Sequence, residues 1–198
     1  MPSEATIKEV LSLKQQISEL EKELERTRTA APEGTEDLMQ GDDPFEMKVT
    51  FYAKPPGGSY YDRRGYSATI SPSWNDIFAG VAPVLINEET EPKLRQAFRN
   101  FLSKISHDEF KEHEDLKDYK LSDFFFSEDD IYTCMVQLRA LGLIKESDKK
   151  PSVRDTDTYW TLTPYGDQTM VKLRAISRKP KTTRRIGSEA TESANEEA

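Results

Sequence analysis

The stretches Gln137-Leu138-Arg139-Ala140-Leu141-Gly142-Leu143-Ile144 and Tyr159-Trp160-Thr161-Leu162-Thr163-Pro164-Tyr165-Gly166 decide how the second half of this 198-residue chain is read. The first closes a helix that Ser127 opens as N-cap, with Asp130 three residues on. Ile131, Met135, Leu138 and Leu141 form the inner face of that helix, and Gly142 stops it. Residues 143–147 then read as a short strand, 148–158 as a polar and basic loop, and 159–163 as a second strand. Pro164 opens a last helix over 164–176 that carries Met170, Leu173 and Ile176.

Upstream, Phe45, Met47, Val49, Phe51 and Ala53 alternate with Glu46, Lys48, Thr50, Tyr52 and Lys54, the period of a half-buried strand. Pro55-Pro56-Gly57-Gly58 breaks it, and a second alternating run over 66–71 makes a hairpin with a long loop. Tyr60, Tyr61, Arg63 and Arg64 in that loop, with Tyr66 beyond it, form a candidate contact patch, since Tyr and Arg are favoured at interfaces. They could equally cover the sheet edge. Ser73 and Asp76 have capping-box spacing for a short helix presenting Trp74, Ile77, Phe78 and Val81 on one face, which Pro83 ends. A longer helix over about 89–105 spaces Leu94, Ala97, Phe98, Phe101, Leu102 and Ile105 as a buried stripe.

Residues 5–29 carry a heptad seam with Val10, Ile17 and Leu24 at a and Leu13 and Leu20 at d. β-Branched a positions with leucine at d favour parallel two-stranded packing. Glu9 at g would face Lys14 at e of a partner, and Glu23 would face Arg28. The stripe could instead pack on the chain's own domain. Residues 30–43, with Pro, Gly and acids and no apolar period, read as a disordered linker, and 178–198 as a disordered tail. The expected organisation is α+β. It has a coiled coil (5–29), the linker (30–43), a hairpin-plus-helices region (44–106), a C-terminal module (107–177) and the tail.

Helix, LGLI, short strand, charged loop, YWTLTPYG and helix together resemble the second half of a winged-helix domain. The two quoted stretches look like the LxxLGLI and LTxxG segments of bacterial winged-helix regulators, across about 50 of the 198 residues. The whole body is also similar to C-terminal regions of uncharacterised bacterial proteins in which a coil precedes a hairpin and a winged helix. That likeness implies no known activity.

A winged helix implies DNA, so charge must be weighed. The net charge is −8, and 11 acids against 5 basic residues fall within 1–43. The N-terminal end of the recognition-position helix is Glu128-Asp129-Asp130, which complements the helix dipole but repels phosphate. Lys145, Lys149, Lys150 and Arg154 stand in the wing beside Asp148, Asp155 and Asp157, which cancel most of the field. Arg178, Lys179, Lys181, Arg184 and Arg185 cluster after the last helix. They could clamp phosphate, bind an acidic protein surface, or simply solvate the tail.

Chemical candidates are thin. His107 and His113 lie six apart, unlike the i, i+4 pair of a zinc helix. Glu109 and His113 have that spacing but lie among many acids. Cys134 falls beside an inner helical face, the place of a structural thiol. No phosphate loop or nucleophile elbow occurs, so neither catalytic residues, metal ligands nor a cofactor are expected. A single cysteine excludes an internal disulfide, no apolar run reaches the ~18 residues of a membrane span, and no secretory leader is visible. The expectation is a cytoplasmic, non-enzymatic interaction and oligomerisation module. It would form a homodimer, or dock a helical protein partner, through the coil. A dimeric DNA-binding regulator is the alternative, and the chain could also be the C-terminal part of a larger protein.

Overall fold

The structure, a computed structural model, describes residues 4–147 and 157–176. The wing residues Lys149, Lys150 and Arg154 and the whole 178–198 segment lie outside the described residues. In chain order the elements are α1 (Glu4–Arg28), β1 (Met47–Lys54), β2 (Arg64–Ile70), α2 (Trp74–Val81), β3 (Glu89–Thr90) and α3 (Glu91–Glu112). Then come β4 (Lys120–Phe126), α4 (Glu128–Ala140), β5 (Ile144–Glu146), β6 (Tyr159–Leu162) and α5 (Pro164–Arg174). The molecule is a mixture of helix and small antiparallel sheets, as the sequence pattern requires.

One sheet has the order β2-β1-β4. Its centre is the alternating strand: Met47, Val49, Phe51 and Ala53 are buried, while Lys48 and Thr50 point outward to solvent. The second sheet is small, with order β3-β6-β5, and Trp160 and Ile144 supply its buried side. Between the sheets runs α3. Its buried row, Leu94, Phe98, Leu102, Ser106 and Phe110, recurs every four residues, one face of a helix. Ser106 is tolerated inside because its hydroxyl donates to the Leu102 carbonyl at 2.7 Å. Ser73 caps α2 with Asp76 as the box partner, and Trp74, Ile77, Phe78 and Val81 are all buried.

Four expectations are corrected. The boundary at 106/107 falls inside α3, which continues two turns past 105 so that Phe110 can stack on Phe51 (4.8 Å between ring centres). Nor does 107–177 form a module by itself, because β4 pairs with β1 rather than with the second sheet. That strand escapes a period-2 reading because it is bulged. Asp123 takes a left-handed φ of 53°, a conformation its short polar side chain tolerates, and the register slips between Thr50 and Tyr52. The slip leaves Asp123 in solvent and turns Phe124 inward against Phe51, Phe125 outward and Phe126 inward.

Residues 30–43 are not a disordered linker but a strap of turns fastened to the body. Gln137 Nε2 donates to the Met39 carbonyl (2.6 Å), Asn75 N to the Gly41 carbonyl (2.8 Å) and Trp74 N to the Asp43 carbonyl (3.2 Å). Thr35 is buried, and Leu38 packs on the core. Finally, Ser127 accepts from Asp129 N at 3.2 Å, so α4 has a simple cap in place of the expected box with Asp130.

The stretches 137–144 and 159–166 meet at Gly166. Thr163 caps α5 by accepting from Gly166 N (2.9 Å), and its hydroxyl donates to the Gly142 carbonyl. A Cβ at 166 would fall on the carbonyl oxygen of Leu143. Gly166→Ala should therefore force α5 off the second sheet and destabilise the fold by about 1–3 kcal/mol. Chemical denaturation of the variant beside the parent checks this, the same substitution at exposed Gly34 being no guide because its φ is +82°.

Candidate interaction surfaces

The seam of α1 is bare. Val10, Leu13, Ile17, Leu20 and Leu24 are between 46% and 64% exposed, and Ile7 and Leu11 stand open beside them. Every residue from Thr6 to Arg28 is exposed, so among the described residues the stripe has no packing partner in its own body. The result is an apolar stripe left open to solvent on an otherwise charged 25-residue helix.

On α4, Ile131, Cys134, Met135 and Leu138 are buried, and Leu141 is buried just past its end. Tyr132 and Val136 are exposed on the opposite side. Two arginines that the sequence pattern did not single out, Arg95 and Arg99 of α3, both bond the carboxylate of Glu128 at the start of α4. The Arg95 guanidinium also lies over the Tyr132 ring, 4.8 Å from its centre. Further along, Arg139 pairs with Glu146 at 2.9 Å. The outer face of α4 therefore offers Asp129, Tyr132, Thr133 and Val136, with its strongest charges already paired.

The loop patch divides. Tyr60 and Tyr61 are exposed, Tyr61 at 91%, with rings edge to face. Arg63 is half-buried and sandwiched, its guanidinium 4.4 Å from the Tyr52 ring centre and 4.3 Å from that of Tyr60, with Asp123 at 2.9 Å. Arg64 is exposed on the edge of β2. Tyr66 does not belong to the patch: it turns inward, half-buried, and stacks on Phe51 at 5.7 Å. The sequence missed Lys120 and Phe125 as members, because only the bulged pairing of β4 brings them to this face.

Cys134 is buried, and desolvation, with Asp130 adding to it, pushes its thiol up to about 12. At neutral pH it is a protonated packing group and not a nucleophile. His107 faces Asp108 at 3.5 Å and the Phe124 ring edge-on. Among the described residues, no three His, Cys, Asp or Glu side chains group as a metal site, and no helix is long and apolar enough to cross a membrane. No protein-family model, curated protein or solved structure matches the chain.

The hydrogen bonds from Arg99 and then Arg95 hold the Glu128 carboxyl below its ordinary range. A carboxylate with a depressed folded pKa stabilises the fold above its unfolded value, and that contribution disappears as the pH falls through the depressed one. Glu128→Gln should lower the melting temperature at pH 7, and the difference from the parent should shrink as the solution is acidified below the ordinary carboxylate range. Thermal melts of both proteins at pH 7 and in acid check it.

Proposed function

We propose that this chain is a non-enzymatic interaction module that assembles through α1 with a second copy of itself. The observation that carries the reading is the exposure of all five seam residues on a helix whose own body leaves them uncovered. Charge complementarity selects the partner and its direction. In a parallel pair Glu9 meets Lys14 and Glu23 meets Arg28. An antiparallel pair would set Glu9 against Glu23, like charges along the flank. Under three heptads of seam make a modest interface, with dissociation on the order of micromolar, about −8 kcal/mol.

The order β3-β6-β5, with α4 leading into β5, supports a winged-helix-like reading of the C-terminal part, completed by a third strand from upstream. Its use as a protein-contact unit suits the outer face of α4, where Tyr132 and Val136 are bare. The alternative, a dimer placing two such helices in successive major grooves, gains Arg95 and Arg99 near the start of α4. Both are engaged with Glu128, and Asp129 and Asp130 stand beside them, which leaves little for phosphate.

Replacing Leu13, Ile17 and Leu20 together by Ser tests the assembly. All three are exposed, so the body should keep its melting transition while sedimentation equilibrium at about 100 μM reports a fall from dimer to monomer. An unchanged mass contradicts α1 as the assembler.

A further inference from the structure

The outer face of the β2-β1-β4 sheet carries an arrangement that the fold does not need for itself. Its register sets Lys54 directly beside Lys120, Tyr52 beside Ser122 and Thr50 beside Phe125. Two lysines facing each other across neighbouring strands repel and cost stability. The ammonium of Lys54 is met by a neutral acceptor, the Gly58 carbonyl at 3.0 Å, so its charge is not cancelled. The acid beside this pair, Asp123, is engaged by Arg63. The result is a cleft of about 370 Å³ whose walls carry Lys54, Lys120 and the Arg63–Asp123 pair, a surplus of positive charge in a chain whose net charge is −8.

Tyr60 lines the cleft, and further rings stand along the same face. Phe125, a large apolar side chain 56% exposed on the wet side of a sheet, stands edge-on to Tyr52 at 6.4 Å. On the other side Tyr60 holds Arg63 against Tyr52, and Tyr61 follows it into solvent. Cation–π contacts on both faces fix the guanidinium in place, so little rotamer freedom remains to be lost on binding. Exposed rings beside a cationic track on an open antiparallel face are what unstacked bases and their phosphates require together. A carboxylate-rich peptide would use the lysines and leave the rings idle. A duplex would present phosphates while keeping its base faces stacked and out of reach. The α4 face plays no part in this arrangement, and the inference does not depend on assembly through α1.

We infer that this sheet face binds single-stranded nucleic acid, with bases stacking on Phe125 and Tyr60 and phosphates held by Lys54 and Lys120. The test is fluorescence anisotropy of a labelled 20-nucleotide mixed-sequence single strand titrated with the full chain at 50 and 200 mM salt. Two phosphate contacts predict a loss of roughly sevenfold in affinity between those salts. The double variant Lys54→Glu/Lys120→Glu should bind more than tenfold more weakly with a flatter salt dependence. Phe125→Ala should lose at least about fivefold, the effect of one stacked base. The same strand annealed as a duplex, and polyglutamate as competitor, should bind at least tenfold more weakly than the single strand. All three substituted positions are on the wet face of the sheet, and thermal melts confirm that the variants fold. Three results overturn the inference. One is absence of single-strand binding at 50 mM salt. Another is binding indifferent to the sheet variants but abolished by Arg184→Glu/Arg185→Glu. The third is polyglutamate competing as well as the oligonucleotide while Phe125→Ala is silent.

Discussion

The buried row Leu94, Phe98, Leu102, Ser106 and Phe110 runs the length of α3, and both sheets lie against it. Its first half packs with α2 and faces the small β3-β6-β5 sheet, and its last turn stacks Phe110 on Phe51 of the larger one. Had the helix ended at Ile105, the larger sheet would lose its aromatic anchor. The two halves of the chain would still be joined by β4 on β1, but with less of a core in common. Because the row continues, they share one core, and the start of α4 is fastened to the same helix from outside by Arg95 and Arg99 on Glu128.

That common spine decides what is left for contacts with other molecules. The apolar groups within reach of α3 are drawn into its core, including Leu38 of the strap and Phe124 of the bulged strand. Two surfaces lie beyond its reach: the α1 seam, which extends past the strap, and the outer face of the β2-β1-β4 sheet, whose inner face alone meets the core. They differ in chemistry. The first is aliphatic and flanked by complementary charges, which suits a helix of the same kind. The second is cationic and aromatic, which suits an anionic polymer with exposed rings. Both surfaces belong to the proposed binding role, and the one thiol is held protonated in the core.

Elements with an unbroken period were legible from residues alone: α1, β1, α2, the inner face of α4 and the caps at Ser73 and Gly142 all fall where alternation or helical spacing puts them. The rest was hidden for physical reasons. β4 has no clean alternation in Leu121-Ser122-Asp123-Phe124-Phe125-Phe126, because a left-handed Asp123 supplies the missing phase shift. The strap over 30–43 is held through backbone carbonyls and through Pro32 against Gly142, contacts that leave no hydrophobic period. The cationic cleft needs Lys54 and Lys120, far apart in sequence, to become neighbours, and only the register of β4 makes them so. Arg95 and Arg99 read as the polar side of a helix until Glu128 is placed beside them. By contrast, the bareness of the α1 seam was visible as a stripe but not as an unsatisfied one. That distinction is visible only once the helix is seen standing clear of the rest of the described chain.

Parallel self-association through α1 is the claim on which the functional account turns, and a single introduced cysteine tests it directly. In a parallel coil the d position Leu13 sits against its own copy, whereas an antiparallel pair separates the two. Native Cys134 is buried with its thiol protonated, so it stays silent. Under mild oxidation Leu13→Cys should convert the chain to a covalent dimer at micromolar concentration, and Ala31→Cys, beyond the helix, should do so far less. A Leu13→Cys chain that stays monomeric, its introduced thiol forming disulfides only with added small thiols, would contradict the account.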